Sequence, residues 1–259
     1  MTLLSESFAG INARFHLAGI YALATLVPEL LIRLVGPADR PDLDWLGVAL
    51  TAIVVSIGVL AGVCGLVFQA ATGRTERFPF AYYAILLYLP LAWLILRIEF
   101  LVFAPPWLAA EAYQALVGVS ADPTLNLIVF WAGPLLTLTM GVLLLYSVPL
   151  CILAREQKRR RAAIREGLGM LRSCPSESAR LIGLVLLAVG IGAAYDFWRG
   201  FEKRDAEPDV AYVLVVSVMS YLELVGLFGA SRVVLARARR PAPSDLGDGR
   251  DIRTSGPPA

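Results

Sequence analysis

The sequence predicts an all-α fold, a polytopic membrane protein built as a bundle of six transmembrane helices in one domain over residues 1–240. Three observations predict it. Hydrophobic residues make up 58% of the chain and charged residues 17%, whereas soluble domains hold about 45–50% and about 25%. Mean hydropathy is +0.68. The charges are also segregated, with none between Asp44 and Arg74 or between Asp122 and Arg155, and about 20 apolar residues cross a bilayer as helix. So much apolar surface with so little charge excludes a soluble enzyme, a nucleic-acid binder and a secreted disulfide scaffold.

Hydrophobic stretches bounded by charge or turn residues place the spans near 16–36, 46–71, 79–103, 126–153, 180–198 and 210–236. A short amphipathic stretch from Ser5 leads into the first span. Glu6 and Arg14 precede the apolar run where a cleavable signal would need a basic start, so this span is expected to remain as an anchor. The second and fourth spans are free of charge, while the third carries Arg97 and Glu99. Beyond it, Pro105-Pro106-Trp107 and the run to Leu116 read as a separate helix at the outer interface. Trp107 and Tyr113 would be its headgroup-level anchors. The fifth and sixth spans hold Asp196 and Glu223. Pro28, Pro90, Pro134 and Pro149 lie within spans, and the Pro- and Gly-rich tail 241–259 is expected to be disordered and cytoplasmic.

Lys and Arg accumulate in cytoplasmic loops. With six spans, the termini and the 72–78 and 154–179 loops share one side, which carries 17 basic residues against 5 on the other. Both termini are therefore expected in the cytoplasm. The Arg-to-Lys ratio of 21 to 2 points to a GC-rich bacterial genome, and hence to the bacterial inner membrane.

The densest basic segment is Arg155, Lys158, Arg159, Arg160, Arg161 and Arg165. Ile164, Leu168 and Leu171 follow at helical spacing, which reads as a helix lying on anionic inner-leaflet lipid. The spacing of Ala162, Ala163 and Gly167 resembles the coupling loop of ABC importer permeases over about a dozen residues, which implies docking of a cytoplasmic partner. Arg161 stands where that family has an acid, and Glu177-Ser178-Ala179-Arg180 replaces its Ile-x-Leu-Pro.

Small residues at Gly58, Gly62, Gly65, Gly183, Gly190 and Gly226 are candidates for close helix packing, within the chain or against a membrane-protein partner or second copy. Ionisable residues at membrane depth are costly to place and form the other candidate set: Glu29, Arg33, Arg97, Glu99, Asp196 and Glu223. Glu29 and Arg33 are spaced to pair on one helix. Arg97 and Glu99 are two apart and point to opposite faces, so Arg97 is expected to pair across helices with Glu29 or Asp196. Glu223 lies thirteen residues, about 20 Å, along the last span. Thr137, Thr139 or Tyr146 are its expected hydrogen-bond partners, in a helix-locking role rather than a proton relay.

The three cysteines, Cys64, Cys151 and Cys174, are widely spaced, and His16 is the one histidine. No disulfide, metal site, cofactor or catalytic motif is expected. These readings favour a non-enzymatic inner-membrane protein, a transport component or a subunit of a membrane complex. The alternative is an intramembrane enzyme acting on lipid through Glu29, Glu99 or Asp196.

Overall fold

The computed structural model describes residues 2–35, 43–73, 78–117, 123–157, 162–199 and 210–239, and among these the side chains of 29, 32–35, 43–46, 110–117 and 123–131 are left aside. The tail 241–259, Lys158, Arg159, Arg160 and Arg161 lie outside the described residues, as do the side chains of Glu29, Arg33 and Tyr113.

Every element among the described residues is a helix. In chain order they are α1 (Leu3–Asn12), α2 (Phe15–Val35), α3 (Leu43–Thr72), α4 (Phe80–Val117), α5 (Pro123–Glu156), α6 (Ala163–Ser173), α7 (Pro175–Arg199) and α8 (Val210–Ala238). Five of them, α3, α4, α5, α7 and α8, are long and apolar enough to cross a membrane. In α2 the apolar stretch Phe15–Pro28 is shorter, within a helix of 21 residues. The chain is a multi-pass membrane protein.

The bundle is organised around α8, which packs against α1, α2, α3, α5 and α7. Its sequence explains this. Leu222, Leu224, Val225, Phe228, Ala230, Val233 and Val234 are all buried, and they point to several sides of the helix rather than forming one stripe, so its second half packs on several neighbours at once while Glu223 and Arg232 stay exposed. α2 packs on both α3 and α8, α7 packs on both α8 and α5, and α4 joins α3 to α5.

Small residues set the closest approach. On α3, a Cβ built on Gly62 would lie 2.4 Å from Cε2 of Phe80, and one on Gly65 would lie 2.2 Å from Cγ of Tyr83. Gly58 meets Tyr88 at an ordinary 3.8 Å. Two aromatic rings of α4 thus occupy the volume that side chains would fill, gaining van der Waals contact where lipid supplies no hydrophobic drive. Tyr83 also donates its hydroxyl to Oε1 of Glu156 on α5 at 3.2 Å. A Cβ built on Gly226 of α8 would lie 3.8 Å from Cδ1 of Leu145 on α5.

The two short helices dock on the bundle rather than lying free. In α1, Ser7 and Ile11 are fully buried. A Cβ on Gly10 would lie 2.5 Å from Cζ of Phe228, and one on Gly229 would lie 2.9 Å from Oγ of Ser7. The Tyr221 hydroxyl donates to Oδ1 of Asn12 at 2.6 Å, and Arg232 pairs with Glu6 at 2.9 Å on the exposed side. α6 lies on α5 through Gly167, where a Cβ would meet Oγ of Ser147 at 2.8 Å.

Two sequence expectations are corrected here. The inward face of α6 is centred on Gly167 and Met170, both buried, while Leu168 is 44% exposed. A glycine drew the helix onto α5 where the apolar stripe alone suggested a different face. The chain after Phe103 also forms no separate interfacial helix, because α4 runs unbroken through Pro105 and Pro106 to Val117. Proline holds φ near the helical value and removes one donor at each position, and a membrane helix accommodates the freed carbonyls locally.

Candidate functional site

Among the described residues, one polar group sits where α2, α3 and α8 meet. Glu223 of α8 is exposed on the flank of its helix, and its carboxylate accepts a hydrogen bond from the Tyr21 hydroxyl of α2. Cys64 of α3 lies close enough to interact electrostatically with the Glu223 carboxylate and is itself buried. A carboxylate, a phenol and a thiol thus gather in a setting otherwise built from apolar side chains.

The sequence pointed to Glu223 but to the wrong partners. Thr137 and Thr139 donate to the carbonyls of Gly133 and Leu135 within α5, the usual way for a hydroxyl in a helix to satisfy itself. Tyr146 is fully buried against Ser178 of α7, oxygen to oxygen 3.1 Å. Tyr21 went unnoticed because its partner is some 200 residues away. The available signal was that it is the single aromatic hydroxyl in the first span.

Of the two partners expected for Arg97, the side chain of Glu29 lies outside the described residues. The Arg97 guanidinium lies 4.7 Å from the centroid of Trp93, one turn earlier on α4, in a cation–π arrangement. Asp196 lies on α7, which shares no extended contact with α4 among the described residues. A ring at i−4 on the same helix is within reach without any interhelical fit, and both groups are exposed. Glu99 and Asp196 are exposed on these two separate helices, so they do not converge. Arg155 and Arg165 are exposed beside α6. Gly167, which carried the resemblance to a permease coupling loop, is buried against Ser147 instead of being presented outward.

One group of small residues remains open. Gly183 and Gly190 of α7 are exposed, with no atom within 4 Å of a Cβ built on either. Leu186 and Leu187 between them are about half exposed, at 50% and 52%. The face of α7 turned away from α5 and α8 is therefore apolar and unfilled by the described residues, in contrast to Gly62 and Gly65 of α3.

The cysteines Cys64, Cys151 and Cys174 are free, and among the described residues no three His, Cys, Asp or Glu side chains come together as a metal site. No family model matches the chain, and comparison with curated proteins and with solved structures finds no match.

Proposed function

We propose that this protein is a non-enzymatic subunit of a membrane-protein complex in the bacterial inner membrane, with both termini in the cytoplasm. The observation that carries the reading is the open face of α7. Gly183 and Gly190 leave room for another helix to approach closely, and small residues at such faces are how helices associate in lipid. Isolation in a mild detergent, followed by mass spectrometry of co-purifying chains, tests it. A stoichiometric partner or second copy is expected in the native particle. A strictly monomeric particle of 28.0 kDa in every mild detergent would contradict it.

The orientation rests on the 17-to-5 distribution of Lys and Arg. A reporter fused after Ala238 is expected to be active only when it is of the kind that works in the cytoplasm. Activity of a periplasmic reporter at that position would reverse the threading.

The Tyr21–Glu223 pair favours a second reading, a transport component in which Glu223 exchanges a proton. Glu223→Gln keeps a hydrogen-bonding group but removes the exchangeable proton. With normal abundance, unchanged function in this variant assigns the pair to locking α2 on α8, a contact worth about 0.6 kcal/mol on average and at most about 1.7 in membrane proteins. Loss of function at normal abundance assigns it to transport. The reading as a lipid enzyme draws no support from Glu99 and Asp196, which lie on helices that do not pack together.

A further inference from the structure

The seam between α2 and α3 has two chemically different ends. At the end nearest the chain termini, where α1 turns into α2, a cavity of about 520 Å³ is lined by Arg14, His16, Gln69, Gly73 and Phe78, and none of the described residues in its wall is acidic. Arg14 donates one nitrogen to the Gly10 carbonyl at 3.2 Å, which fixes its guanidinium at the mouth of this cavity. Toward the far end of the same seam a second cavity of about 620 Å³ opens, running from Ile20 to Leu31 on α2 and from Val59 back to Gly47 on α3. Its wall is aliphatic apart from the hydroxyls of Thr51 and Ser56, and Thr51 already donates to the Gly47 carbonyl at 2.8 Å.

The two cavities lie on one continuous face of each helix. On α2 the lining residues Leu17, Ile20, Ala24, Val27 and Leu31 recur every three or four positions, which keeps them on one side. The polar end arises because α3, with 30 residues, outruns α2, with 21. The last turn of α3 therefore continues past the start of α2, and the α1–α2 corner closes the space.

We infer that this seam binds one phospholipid with an anionic headgroup, its phosphate held by Arg14 and His16 and one acyl chain lying in the groove between α2 and α3. The charge fits, since Arg14 brings a guanidinium to the polar cavity, His16 adds a ring nitrogen that can donate, and none of the described lining residues is acidic. The dimensions fit as well. From His16 to Ile20 is about 6 Å along the helix, and Ile20 to Leu31 is about 17 Å. One leaflet's hydrocarbon is about 15 Å deep, half of a 30 Å core. A headgroup beside His16 thus places its chain in the groove over nearly the whole groove length. An annular lipid would instead meet the convex outer surface of a helix, with no cationic end.

The test uses the full chain in lipid nanodiscs and a phosphatidylglycerol probe carrying a photoreactive diazirine near one chain end. Labelling is expected to concentrate on α2 and α3 around Val27 and Val48. The double variant Arg14→Gln, His16→Gln is expected to lower it at least fivefold. Val55→Trp fills the groove from a side chain that is 58% exposed and is expected to lower it as much, with the unfolding midpoint unchanged. Thr51→Trp serves the same purpose if Val55→Trp shifts that midpoint. Labelling spread evenly over α4 and α7, or insensitive to both kinds of variant, would overturn the site. Loss of labelling on adding glycerol phosphate alone would assign the polar cavity to a soluble phosphate ester and overturn the lipid as its occupant.

Discussion

Replacing Gly65 with leucine is expected to destabilise the bundle by about 3 kcal/mol, the upper part of the range for overpacking a well-packed core. The Cβ alone would stand 2.2 Å from Cγ and 2.4 Å from Cβ of Tyr83. Those atoms are the root of the side chain, so the ring cannot swing clear. Tyr83 is buried at 1% exposure and bonded to Glu156. Helix propensity works the other way, because leucine is favoured over glycine by about 0.8 kcal/mol in a helix, but the steric term is several times larger. Gly58→Ala on the same face is the control. Tyr88 is 3.8 Å from the added Cβ, so nothing opposes the helix propensity of alanine and stability should stay level or rise by up to about 1 kcal/mol. Unfolding titrations in mixed micelles compare the two directly, and equal midpoints would mean that the α3–α4 seam is not packed as described.

Phe228→Ala is expected to have the second largest effect, about 2 kcal/mol. Loss of a core phenylalanine costs about 3–5 kcal/mol in water-soluble proteins. The transfer part of that figure shrinks in lipid, where an unfolded helix still surrounds the ring with acyl chains. What remains is lost packing. The ring is 4% exposed and stands against Gly10, whose added Cβ would come within 2.5 Å of its tip. The effect should also be local. With the ring gone, α1 keeps the exposed Glu6–Arg232 pair, which contributes little, and the Asn12–Tyr221 bond. A cysteine at Ser7, buried in the native bundle, is therefore expected to react with a water-soluble maleimide much faster in the Phe228→Ala background. Unaltered reactivity would show that α1 is held by something other than this wedge.

The helices were legible because apolar runs of about 20 residues and the charges that bound them are local features of the chain. Helix α3 was expected at 46–71 and occupies Leu43–Thr72, and α8 was expected at 210–236 and occupies Val210–Ala238. Glycine spacing showed that α3 had a close-packing face, and the structure supplies Phe80 and Tyr83 as the rings that fill it. Partners across the chain were not legible. Nothing near Glu223 in sequence names Tyr21, and nothing in the 3–12 stretch says that it docks on α8. The face of α6 was misread for a related reason. An apolar stripe marks the side that avoids water, whereas Gly167 marks the side that approaches another backbone, and on α6 the two differ by the position of Leu168.

The central claim, that the open face of α7 seats another membrane protein, is tested most directly by a photo-crosslinking amino acid at Leu187, with Leu89 of α4 as the reference. Both side chains are well exposed, at 52% and 73%, but Leu187 lies beside Gly183 and Gly190 on a face that none of the described residues fills. The account predicts a discrete protein adduct from Leu187 in intact membranes, lost on Gly183→Phe, with lipid adducts alone from Leu89. Lipid adducts alone from Leu187 would contradict it.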